Sequence, residues 1–225
     1  MKNLNLAISP AKADRLYWLG RYAERAILSL HLLRKYCNVN IDADSEKPLE
    51  TFATLMGVPT TALADGSFVP DYLYSDANVC SIASILAAAK NNAMLERNEI
   101  KTETLAYIEL AVNILAKAKS NKCGVFALQP ISDYLMSFWG AVDENVRSRP
   151  VRNLLAIGRY VERLDIMIRF GYDPDRIADV LTRLESIDES ELALCDPDTL
   201  AFIRSKVGDP ASSETLARLN ALFAA

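Results

Sequence analysis

The sequence predicts an all-α fold: a helical bundle with two pseudo-equivalent signature helices and a small C-terminal helical appendage. Three observations predict it. Apolar residues recur in a 3-4-3-4 rhythm, β-type alternation and hairpin dipeptides are almost absent, and one phrase occurs twice, 138 positions apart. The first copy is Leu16-Tyr17-Trp18-Leu19-Gly20-Arg21-Tyr22-Ala23-Glu24-Arg25-Ala26; the second is Leu154-Leu155-Ala156-Ile157-Gly158-Arg159-Tyr160-Val161-Glu162-Arg163-Leu164. Their seams, Leu16, Leu19, Ala23, Ala26, Leu30 and Leu154, Ile157, Val161, Leu164, Ile168, share one helical spacing.

Ser9-Pro10 reads as a cap followed by proline in the first turn, opening the first signature helix, which can run to about Tyr36. From Asn38 to Asp76 the pattern weakens around Pro48, Gly57, Pro59, Gly66 and Pro70, with a short helix at Leu49–Met56; this stretch is expected to be a lid or irregular flank. Helical signals return at Ala77–Leu95 and Thr102–Lys119. After the Asn121-Lys122-Cys123-Gly124 break they resume at Pro130–Val146, and Arg149-Pro150 separates that helix from the second signature helix, Val151–Phe170. Asp173-Pro174 and Asp196-Pro197 open helices to about Ile187 and Val207. In each, the carboxylate accepts an orphan N–H and proline lacks the donor that would be orphaned at the next position. A last helix starts at Ser212 or Ser213 and ends near Phe223. The economical division is a bundle over residues 1–172 and an appendage over 173–225 packed on it.

With 225 residues, 51% of them hydrophobic, the chain can bury one substantial core or two small ones. A formal charge of −4 without a Lys/Arg run argues against nucleic acid and membrane surfaces as partners. No apolar run is long enough to span a bilayer, and Met1-Lys2-Asn3-Leu4-Asn5 lacks the apolar core of a signal peptide, so the expected location is cytoplasmic. Cys37, Cys80, Cys123 and Cys195 form no Cys-x-x-Cys pair and fit reduced, mostly buried thiols. A single histidine, His31, removes most chemistry that depends on imidazole: no Glu-x-x-His pairs for a di-iron bundle, no His-Glu-x-x-His zinc site and no standard Ser-His-Asp set. No metal, cofactor or catalytic residue is therefore assigned.

On a helix, Asp14, Arg21 and Arg25 fall nearly opposite the seam, among Tyr17, Trp18 and Leu28; Arg152, Arg159 and Arg163 do so with Leu155 and Ile166. A face mixing aromatics, leucine and arginine is expected to be covered by another helix, a partner or a ligand. Gly20 and Gly158 stand mid-helix, where each costs about 1 kcal/mol relative to alanine. They are expected to lie near each other where the signature helices cross. If the helices pair, Arg21, Arg25, Arg159 and Arg163 meet Glu24 and Glu162, leaving surplus positive charge for an acid or a bound anion. Candidate internal acids are Asp14, Glu96, Glu99, Asp143, Glu144 and Asp165. Three readings stay open: a network that fixes helix register, a phosphate or carboxylate site, and a partner-docking surface. Trp18, Tyr22 and Tyr160 complete the candidate binding set; Trp18 and Trp139 read as core anchors, and Leu95–Glu99 as a solvated stretch polar enough to line the cluster.

The segment Asp14–Ala26 closely resembles the N-terminal signature of the bacterial alpha-E family of all-helical proteins, and Gly158–Arg163 is similar to its second signature. Ala87-Ala88-Ala89-Lys90-Asn91-Asn92-Ala93 is similar to a family segment reading more like Ala-Arg-Glu-Asn-Ala-Arg, with Met94 where an arginine is usual. This chain is shorter than typical members, which carry a longer helical region after the second signature. The resemblance implies association with ATP-grasp amide-forming ligases, often beside transglutaminase-like proteins, in peptide synthesis or modification. It makes the first expectation an accessory subunit that docks such a ligase and holds an anionic or peptide substrate. The alternatives are a stand-alone enzyme using Glu24 or Glu162 as acid/base and a structural, homo-oligomerising bundle. A carboxylate engaged by two guanidinium groups is poorly placed to trade protons, which weighs against the enzyme.

Overall fold

The computed structural model describes residues 8–43, 47–64, 66–191, 194–208 and 213–223. Ser212, one of the two expected starts of the last helix, and Met1–Asn5 lie outside the described residues. Among those described, the fold is all-α: α1 (Pro10–Ala43), α2 (Lys47–Met56), α3 (Phe68–Tyr74), α4 (Ile82–Leu95), α5 (Arg97–Ile100), α6 (Thr102–Ser120), α7 (Gln129–Asn145), α8 (Arg149–Arg169), α9 (Pro174–Glu191), α10 (Pro197–Ser205) and α11 (Ser213–Asn220). Among the described residues, pairing of the β type is confined to one isolated bridge between Cys195 and Phe223.

The long helix α1 is the axle. It packs most extensively on α8, then on α4, with further contact to α2 and α7. Its seam of Leu16, Leu19, Ala23, Ala26 and Leu30 is fully buried and shares one core with Ile85, Leu86, Ala89 and Ala93 of α4 and Leu135 and Phe138 of α7. A second core lies on the other side of α8. There Ile157, Val161, Leu164 and Ile168 meet Ile177, Leu181 and Leu184 of α9, Leu200 and Ile203 of α10 and Leu219 of α11. Helix α8 thus contributes to both cores, and Tyr17 of α1 reaches into the second.

Several boundaries differ from the sequence reading for local reasons. Helix α1 runs past Tyr36 to Ala43 on a stretch whose Val39 and Ile41 are exposed. Helix α3 forms inside the expected irregular flank because Pro70 falls in its first turn, where its missing N–H removes no intrahelical bond. Helix α4 starts at Ile82 instead of Ala77: Ser81 is its cap, accepting from Ser84 N at 3.0 Å while donating to Ser75 O at 2.6 Å. Pro150 lies within the first turn of α8, which begins at Arg149. The Asp-Pro openings hold: Asp173 Oδ1 accepts from Asp175 N at 2.9 Å, and Asp196 Oδ2 accepts from Thr199 N at 2.9 Å. Gly171, at φ +60°, ends α8 with Tyr172 N donating to Met167 O, and this turn aims α9 back along α8.

Candidate functional site

The repeated glycines lie at the α1/α8 contact. A Cβ built on Gly20 would sit 2.2 Å from Leu155 O, and one on Gly158 would sit 2.1 Å from Tyr17 O. Each glycine therefore meets the other helix's backbone, and the two contacts are equivalent under the repeat. One turn further on, Glu24 lies between Arg159 and Arg163, and beyond that Tyr36 meets Phe170, so the helices run in the same direction. The stripe Tyr17, Gly20, Arg21, Glu24, spaced at three and four residues, faces its counterpart Leu155, Gly158, Arg159, Glu162.

The charges pair across this contact in exchange. Arg21 Nε donates to Glu162 Oε2 at 2.8 Å and Arg25 Nε to Glu162 Oε1 at 2.5 Å. Reciprocally, Arg159 Nε donates to Glu24 Oε2 at 3.2 Å and Arg163 Nε to Glu24 Oε1. Both carboxylates are 0% exposed and have both oxygens engaged. Arg21 is 2% exposed, whereas the side chains of Arg25, Arg159 and Arg163 are 30%, 26% and 31% exposed. All six charged residues of the two phrases are thereby brought together.

The surplus positive charge is met by rings and partial solvation. The Arg21 guanidinium lies 5.1 Å from the Trp18 ring and 5.9 Å from that of Tyr17; Arg159 lies 4.4 Å from Trp139, and Arg163 6.0 Å from Tyr160. Tyr22 packs on Trp18 at 5.4 Å and, like Tyr160, is half-buried. Most of the expected internal acids go elsewhere, and Asp165 is shared with Arg169. Glu96 takes Arg15 at 2.5 Å, Glu99 takes Lys12 at 2.7 Å and Asp165 takes Arg169 at 2.7 Å, while Asp14, Asp143 and Glu144 are exposed. The Leu95–Glu99 stretch therefore braces the first turns of α1 and does not line the cluster. Trp139, read from sequence as a core anchor, is the cation's ring; no local spacing could have found it, because it comes from α7.

Electrostatics separates the two arginines at equivalent positions. Burial works against the charge on Arg21, but Glu162 and Tyr17 outweigh it and hold its proton affinity above the ordinary guanidinium value. Arg25 is raised in the same way, burial opposed by Glu162 and then Asp165. At Arg159 burial prevails, with Arg163 repelling, and the value falls below the ordinary one despite Glu24. The hydroxyl of Tyr17 and Nη2 of Arg21 are buried without a hydrogen-bond partner at bonding distance. His31 is exposed on α1 away from these charges. Cys37, Cys80 and Cys123 are half-buried free thiols, and Cys195 is buried. Among the described residues, no helix is long and apolar enough to cross a membrane, and no cluster of His, Cys, Asp and Glu could hold a metal ion.

The profile of the Alpha-E family, described as a predicted alpha-helical domain with a conserved ER motif, matches residues 10–187. Within that span Glu-Arg occurs at Glu24-Arg25, Glu96-Arg97 and Glu162-Arg163, and the first and third of these meet at the crossing. No curated protein and no solved structure matches the chain. The match covers most of the sequence, from the first turn of α1 well into α9, and the chain belongs to the Alpha-E family.

Proposed function

We propose that this chain is an accessory subunit that docks an ATP-grasp amide-forming ligase acting in peptide synthesis or modification in the cytoplasm. In this reading the Glu24 and Glu162 carboxylates lock the scaffold, and the outward edges of Arg25, Arg159 and Arg163 meet an anionic group of the substrate or partner. The observation that carries it is the state of the six charges. Each glutamate is fully shielded and spans two guanidinium groups through both oxygens, so neither reaches a substrate as acid or base. Three of the four arginines present only Nε to their carboxylate and remain partly exposed, which leaves guanidinium N–H groups facing outward. The ligase itself enters through the family resemblance, which supplies the reaction class.

Co-expression with a cognate ATP-grasp ligase tests the reading. The expected result is a complex that co-elutes in size-exclusion chromatography with light scattering, and faster amide formation when the chain is added to purified ligase. Separate elution together with an unchanged ligase rate would overturn it.

A further inference from the structure

A small polar cavity of about 130 Å³ opens beside the Glu162 end of the cluster, lined by Arg25, Met56, Cys80, Asp165, Ile166 and Arg169. Its hydrogen-bonding inventory is one-sided. The acceptors are spent: Glu162 takes Arg21 and Arg25, while Asp165 takes Arg169 at 2.7 Å and Asn220 Nδ2 at 3.0 Å. The donors are not. Arg25 uses only Nε and keeps the Nη1/Nη2 edge. Counting charges, Arg21, Arg25 and Arg169 stand against Glu162 and Asp165, a surplus of one positive charge.

We propose that this cavity binds a terminal carboxylate, that of an N-acylated amino acid or of a peptide's C-terminal residue. Free donors with no free acceptor select an acceptor-only group, and a single surplus charge suits a monoanion better than a phosphate dianion. The planar fork of a carboxylate matches the two parallel N–H groups of the Arg25 edge. Because every nearby carboxylate oxygen is occupied, the ammonium of a free amino acid finds no partner, and the acylated form is preferred. The choice of a peptide-like ligand rests on the peptide-directed reading above.

Cys80 in the cavity wall reports occupancy in the unmodified protein. Alkylation by the neutral reagent iodoacetamide is followed by mass spectrometry at Cys80, with Cys37 and Cys123 as internal controls, at ionic strength held constant with sodium chloride. N-acetylglycine is expected to slow Cys80 alkylation saturably, by about fivefold or more, leaving Cys37 and Cys123 unchanged, while N-acetylglycinamide has no effect. Arg25→Lys keeps a charge for Glu162 but loses the fork, and raises the half-saturating N-acetylglycine concentration about tenfold. No protection of the wild-type thiol, equal protection by the amide or by chloride alone, or protection by glycine as strong as by N-acetylglycine would each overturn the proposal. The assay uses the isolated chain, so its failure is distinct from failure of the ligase complex, which is read by co-elution.

Discussion

Arg21 and Arg159 occupy the same position of the same phrase and do different work. Arg21 is sealed, 2.8 Å from its glutamate, with its proton held tightly; Arg159 is a quarter exposed, 3.2 Å from its own, with its proton loosened by burial. The cause lies one turn earlier. Ahead of Arg21 stand Tyr17 and Trp18, and Phe223 stacks on Tyr17 at 4.2 Å; the equivalent positions before Arg159 are Leu155 and Ala156, so its ring is borrowed from α7. The repeated phrase thus fixes which charges meet. The flanking residues fix how firmly.

The largest test of this contrast is a pair of charge removals. Each variant leaves its glutamate one guanidinium; Arg21→Met, which empties a sealed site, is expected to cost roughly 3–5 kcal/mol, whereas Arg159→Met costs about 1–2 kcal/mol because Arg159 is already a quarter exposed and farther from its carboxylate. Urea unfolding measures both, and equal losses would erase the distinction. Next in size are the glycines, where the two halves should agree. Gly20→Ala and Gly158→Ala each press a methyl into a rigid backbone carbonyl and are expected to cost about 2–3 kcal/mol, with matching values. A clear inequality would mean that the backbone contact, too, has lost its symmetry.

The smallest effect concerns Tyr17, which has only Leu155 as counterpart. Burial, partly offset by Arg21, pushes its hydroxyl up to about 12, and burial does the same at Tyr72. Between the ordinary tyrosine value near 10 and that level, the unfolded chain has shed a proton that the folded chain retains, so stability falls as pH rises through this window. At pH 11 the expected loss is on the order of 1 kcal/mol per tyrosine relative to pH 9. Tyr17→Phe should remove one share, visible as a shallower decline of unfolding free energy with pH.

Much of the architecture could be read from spacing alone. The seam, the glycine crossing and the two Asp-Pro helix starts follow from local geometry, and all three are present. What spacing could not supply is anything contributed by a distant element. The expectation for the surplus charge is an acid among Asp14, Glu96, Glu99, Asp143, Glu144 and Asp165 or a bound anion; Asp165 does lie beside Arg25, but Arg159 rests on Trp139 of α7, which no spacing announces. The extension of α1 to Ala43 escaped notice because its Val39 and Ile41 are exposed. The cavity beside Arg25 draws on α1, α2, the turn before α4 and α8, four segments that no sequence period connects.

The exchange of partners across the crossing has the form of a two-fold homodimer interface enclosed within one chain. Each patch is the complement of its own repeat, as in an isologous contact between identical subunits. Such a contact closes upon itself and leaves no unmatched half to propagate from. Because both halves are consumed internally, this self-complementary surface is already satisfied within the folded chain.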